Sequence, residues 1–236
     1  CFLQGMFSSA NYVVFVNFED FDKQIERTVK KHLEETVTFF SGYDCDSLAL
    51  ETITGFAAHI LPIFRNYPNS LLEFRTKSIQ VNPLMSMKAI SNCVIAYSLM
   101  PEVMSVALDN KAPSIKRRIE TMSKLAGQGW KIGLRFDPII PACNFAKIYE
   151  NLFKNIASNV PEENIHSISF GMMRFPKKMF KKMIKEYPNK KIISLNFKNN
   201  NGIYSYSKEV QKKLENIIVG KLKKYMKNIP IYNCQI

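Results

Sequence analysis

Few groups in this sequence could do covalent or redox chemistry, and they are scattered. Its 236 residues hold five cysteines, Cys1, Cys45, Cys93, Cys143 and Cys234. The count is odd and the spacing wide, which argues against a disulfide framework and for a reducing, cytoplasmic setting. No CxxC pair is present, so these cysteines cannot by themselves make a metal knuckle. Walker A, GxGxxG, HExxH and GxSxG patterns are all absent. His32, His59 and His166 stand alone, and two of them fall on helical patterns, where packed or surface histidines belong. The remaining polar groups follow short apolar runs: Ser41-Gly42, Thr76-Lys77-Ser78, Ser98, and Arg135 with Asp137.

Charge supplies a second kind of chemistry. The net charge is +13, and residues 1–170 contribute none of it, since 17 basic residues there balance 17 acidic ones. The last 66 residues carry 16 basic groups against Glu186, Glu209 and Glu215. Lys178, Lys181 and Lys182 lie in one basic cluster, and a second runs from Lys212 to Lys227. A localised positive field attracts phosphate backbones and releases their counterions. Tyr204 and Tyr206 fall between the clusters, where they could stack on a base. A lysine-rich composition with solvated helix faces would look the same.

The elements that must position these groups alternate in type. Strands are expected at 12–17, 37–41, 71–76, 93–98, 131–136, 165–170, 191–197 and 203–206. Helices are expected at 19–35, 47–66, 84–89, 114–127, 145–157, 176–187 and 210–225. Six or so strand-then-helix units in series imply an α/β fold with a parallel sheet, either open or a full or partial barrel. The polar residues named above recur at strand C-terminal ends, where such folds gather their chemistry. No apolar run reaches the roughly 18 residues of a membrane span. Residues 1–170 read as one body and 171–236 as a basic part that completes it.

Several segments together resemble the spore photoproduct lyase family of radical-SAM enzymes. They are CFLQG at 1–5, SGYDCDSLALETITGF at 41–56, TKS at 76–78, YSLMPE at 97–102 and FDPII at 136–140. RFP at 174–176 and PIYNC at 230–234 extend the likeness to the end. The family pattern is CxxxCxxC followed by an aromatic residue and Leu-Gln. The resemblance makes Cys1 the third cluster cysteine, and Phe2 the aromatic residue beside the adenine. It also implies that the chain is cut inside that motif, with the first strand and two cysteines upstream.

The implied fold is a partial (β/α)6-type barrel with a 4Fe–4S cluster and S-adenosyl-L-methionine (SAM) at its mouth. Ser41, Gly42, Lys77 and Ser98 fall where the family contacts SAM. Many relatives carry Glu after that glycine; here it is Tyr43. The implied reaction uses a 5′-deoxyadenosyl radical to repair methylene-bridged thymine dimers in DNA, with a reducing electron donor as a further partner. The family's hydrogen-donor cysteine corresponds to Tyr43, and Cys45 lies two residues on; either can give a hydrogen atom. Asp44 or Asp46 could take over the missing Glu's role, although Asp46 is equally placed to cap a helix. The missing cysteine leaves open a family member with another substrate. The charge leaves open a non-catalytic, basic nucleic-acid-binding protein.

Overall fold

The computed structural model describes residues 13–42, 45–188 and 197–234. Cys1, Phe2, Tyr43 and Asp44 lie outside these, as does the expected strand at 191–197 except Phe197. The main sheet contains β1 (Val37–Ser41), β2 (Ser70–Thr76), β3 (Cys93–Ser98), β4 (Lys131–Ile139) and β5 (Ile165–Met172). A smaller sheet uses β6 (Arg174–Pro176), β7 (Lys198–Asn200) and β8 (Ile203–Ser205). The chain then returns to the main sheet as β9 (Ile231–Asn233), giving the order β1-β2-β3-β4-β5-β9 with every neighbouring pair parallel. The edge strands β1 and β9 do not meet, so the sheet stays open.

Alternation along the strands sorts the two faces. Leu72, Phe74, Ile95, Tyr97, Ile132, Leu134, Phe136, Ile168 and Phe170 all join one apolar core. Each such side chain, fully buried, contributes roughly 1.5–3 kcal/mol. The helices over that face are α1 (Phe18–Lys31), α2 (Glu51–Thr54), α3 (Phe56–Phe64), α4 (Asn82–Met85), α5 (Glu102–Leu108), α6 (Ile115–Gly127) and α7 (Phe145–Asn159). The alternate residues Glu73, Arg75, Ser98, Arg135, Asp137, Ser167 and Ser169 line the opposite, polar face.

Several expectations need correction. Residues 13–17 form no strand. The single helix expected at 47–66 is two, because Gly55 takes a left-handed conformation (φ +60°) between α2 and α3. The buried Glu51 carboxylate then reaches forward to cap α3, accepting from the Ala57 amide at 2.9 and 3.0 Å. Strand β4 continues past Phe136 to Ile139. Helix α5 and strands β6 and β9 were not expected from the sequence. Helix α6 starts as expected, with the Ser114 hydroxyl accepting from the Arg117 amide.

The C-terminal part adds α8 (Lys177–Glu186) and α9 (Lys208–Tyr225). Helix α9 is pinned to α7 by Glu150, which accepts from Lys221 at 2.6 Å, Lys224 at 2.7 Å and the Tyr225 hydroxyl at 2.9 Å. Between α8 and the small sheet, Phe175, Phe180, Phe197, Tyr204 and Tyr206 form an aromatic cluster.

Candidate functional site

The C-terminal ends of β1, β2 and β3 are knit together by loop side chains. After β1 the chain turns at Gly42 (φ +76°), where a Cβ would lie 2.6 Å from Ser47 Oγ. Only glycine fits that backbone and that approach. Ser47 donates its hydroxyl to the Ser41 carbonyl at 2.5 Å and accepts from the Arg75 amide at 3.0 Å. Asp46 accepts from the Thr76 hydroxyl at 2.6 Å, the Lys77 amide at 2.7 Å, and the Leu48 and Ala49 amides at 3.0 and 2.9 Å. Asp46 is therefore a turn cap with both oxygens committed to the fold. Cys45 is exposed on the same loop.

Lys77 follows β2, with its side chain 38% exposed, and its ammonium sits 2.5 Å from Asp109 Oδ1. Asp109 Oδ2 accepts from Arg118 Nη2 at 2.9 Å, and Arg118 is wholly buried. Arg118 also donates Nη1 to the Ser98 carbonyl at 3.0 Å. Burial acts to raise the Asp109 pKa, but its bonds to Lys77 and Arg118 outweigh that and hold it below the usual carboxylate range.

Deeper on the polar face lies a second charge group. Glu73 pairs with Arg135 (Nη2 at 2.7 Å, Nε at 3.2 Å) and with Arg75 (Nη2 at 2.9 Å, Nε at 3.2 Å). Arg135 spends its other donors on the Leu134 carbonyl and on the Ser167 carbonyl and hydroxyl. Gly133 makes room for it, since a Cβ there would lie 2.8 Å from Arg135 Nη2. Burial acts to raise the Glu73 pKa, yet Arg135 and Arg75 bring it below its ordinary value. Burial, followed by the charge of Arg135, lowers the His166 pKa and favours the neutral imidazole. At the rim, Arg174 meets Asp137 at 3.1 Å over Gly171.

Ser41, Gly42, Lys77 and Ser98 thus share one end of the sheet. Glu73, Asp109 and Arg118 were missed: a strand pattern marks Glu73 as inward, but its partner is 62 residues away. Lys178, Lys181 and Lys182 are exposed on α8. The expectation that Tyr206 stacks on a base needs correction. Tyr206 is 5% exposed, and its ring stacks on Phe197. Tyr204 stacks on Phe180 at 4.3 Å between ring centroids. Both are packing residues of the aromatic cluster. No group of three or more His, Cys, Asp or Glu able to hold a metal occurs among the described residues. No helix among them is long and apolar enough to cross a membrane.

An open parallel sheet with its polar face and loops at one end is a partial α/β barrel, and solved structures share it. Spore photoproduct lyase complexed with dinucleoside spore photoproduct matches with a TM-score of 0.87, covering 98% of this chain and 72% of that one at 20% identity. A double mutant of spore photoproduct lyase with bound AdoMet and dinucleoside spore photoproduct gives a TM-score of 0.86, with 98% and 71% covered and 20% identity. The spore photoproduct lyase family model matches residues 1–233, and the chain belongs to that family. Spore photoproduct lyase of Bacillus subtilis is 24% identical over 195 residues, 81% of this chain. The Geobacillus enzyme of that name is 22% identical over 195 residues. The chain spans 57% of the length of the curated relatives it matches.

Proposed function

We propose that this protein is a radical-SAM lyase that repairs methylene-bridged thymine dimers in DNA. The observation that carries the reading is the family match over residues 1–233, on a fold that gathers Ser41, Gly42, Lys77 and Ser98 at one end of a parallel sheet. SAM and a 4Fe–4S cluster, when bound, would supply the radical chemistry, and the residues at the strand ends would hold and orient the SAM.

The donor set fits SAM. Lys77, whose side chain is 38% exposed at the end of β2, offers a cation for its carboxylate, and Ser98 at the end of β3 offers a hydroxyl for its ribose. For the cluster, the described residues offer no ligand set, and Cys1 lies outside them. The chain's own part is to orient the ligand at the strand ends and to present exposed lysines of α8 to the phosphate backbone. Tyr43, standing where the family has its donor cysteine, supports a second reading: the same chemistry on another substrate.

The test uses the complete gene product, purified without oxygen, reconstituted with iron and sulfide, and given reductant and SAM. 5′-Deoxyadenosine formed together with restored thymine, from an oligonucleotide bearing the spore lesion, is the expected result. The nucleoside without repair would favour the second reading. A cluster-loaded protein that forms no nucleoside would refute both.

A further inference from the structure

We propose that Asp109 and Arg118 are positioning residues that fix the Lys77 ammonium relative to the end of β3 and thereby set the affinity of the site for SAM. The inference rests on the reading above, in which Lys77 contacts SAM.

A lysine at a strand end swings on four rotatable bonds and sweeps a wide volume. Lys77 is instead held at both ends. Its backbone amide donates to Asp46 on the β1–α2 loop at 2.7 Å. Its ammonium donates to Asp109, just beyond α5, at 2.5 Å. Asp109 is in turn fixed from behind. Its side chain is 6% exposed, and Arg118 Nη2 donates to its second oxygen at 2.9 Å. Arg118 has no freedom to follow a moving partner, because Nε is bound to the Pro113 carbonyl at 2.9 Å and Nη1 to the Ser98 carbonyl at 3.0 Å. A continuous chain therefore runs from Lys77 through Asp109 and Arg118 to the Ser98 carbonyl, joining two strand ends that each carry a residue assigned to SAM in the reading above.

Charge gives this chain a direction. One carboxylate lies between two cations, so a positive charge is left over. Arg118 is wholly buried while Lys77 is 38% exposed, so the surplus is presented at Lys77. Arg118 alone already neutralises Asp109. What the lysine adds is a preorganised cation at the open end of the sheet, suited to a carboxylate.

The test is SAM affinity, measured by equilibrium dialysis on the cluster-loaded complete gene product. Wild type is compared with Asp109→Asn, Lys77→Met and the double variant, with thermal melts confirming the fold. Asp109→Asn is expected to weaken SAM binding roughly tenfold. Lys77→Met should lose at least as much, and the double variant no more than Lys77→Met alone. An equal further loss in the Lys77→Met background would overturn the proposal, because Asp109 would then act on the fold and not through Lys77. Should Asp109→Asn fail to fold, Asp109→Glu keeps the charge and displaces the carboxylate; it is expected to weaken binding several-fold, and wild-type affinity would overturn the proposal. Lys77→Met binding SAM as tightly as wild type also overturns it. The nucleoside assay above separately decides whether the SAM reading itself stands.

Discussion

Replacing Arg135 with Met tests whether the charge group on the polar face holds the sheet together. The Arg135 guanidinium engages Glu73, Leu134 and Ser167 with every N–H it has. Its removal leaves the Glu73 carboxylate, 6% exposed, with Arg75 as its remaining partner, and leaves Oε2 without its 2.7 Å bond. Breaking a buried pair costs about 3–5 kcal/mol. Arg75 stays in place, so the low end applies: about 3 kcal/mol, or roughly 6–12 °C in Tm for a chain of this size. Urea unfolding of Arg135→Met, Glu73→Gln and the double variant measures it. The double variant should cost less than the sum of the singles by about 1 kcal/mol or more. The acid limb gives an independent check. Burial acts to raise the Glu73 pKa, but the two arginines lower it below 4.5. A depressed folded value gives stability that is complete above the unfolded pKa and is lost as the pH falls through the folded one. Wild type should therefore lose stability below about pH 4.5, and Glu73→Gln should fall less steeply there. Arg135→Met within about 1 kcal/mol of wild type, well short of a broken buried pair, would refute the reasoning.

Gly133→Ala places a methyl group 2.8 Å from Arg135 Nη2; it should cost about 1–3 kcal/mol by urea unfolding, and less in the Arg135→Met background. Tyr206→Phe removes a buried hydroxyl that has no hydrogen-bond partner among the described residues, so it is expected to leave Tm unchanged or raise it, where a paired hydroxyl would lower it. Hydrogen bonds from Lys221, Lys224 and Tyr225 bring Glu150 down to about 2. Carboxyl-carbon NMR should find its midpoint there, and the Glu150 bonds that link α7 to α9 should persist as the pH falls through 4.5 and be lost only towards 2. Reversing Lys178, Lys181 and Lys182 to Glu should weaken DNA binding and reduce the salt slope by about 1–3; unchanged affinity would remove α8 from the interface.

Much of the fold was legible because its signals are local. The runs at β1 and β3 read as strands at their observed bounds, since β-branched and aromatic residues crowd a short segment. The helix expected at 47–66 failed for a reason that periodicity cannot carry. Apolar spacing continues smoothly across Gly55, yet the helix breaks there at a left-handed residue, and the cap for the second helix is a carboxylate six residues back, Glu51 on Ala57. Strand β9 escaped notice because three residues give too short a pattern. Its place beside β5 rests on the tertiary pairing of Ile231 with Ile168.

The site divides along the same line. A lysine after a buried strand and a glycine at a turn are visible as types at positions, and Lys77 and Gly42 were read that way. What holds them is not local. Asp109 and Arg118 sit on a loop and a helix that look ordinary in sequence, and only the β2–β3 register brings Lys77 and Ser98 near enough for one carboxylate and one guanidinium to connect them. Tyr206 shows the reverse error. An aromatic residue between lysine clusters suits a nucleic-acid platform and an aromatic core equally well, and at Tyr206 burial decides for the core. With the Tyr206 ring buried, what this region offers a phosphate backbone is its exposed lysines, those of α8 among them. Binding should then be strongly salt-dependent and weakly sequence-selective, because point charges on phosphates carry no information about bases.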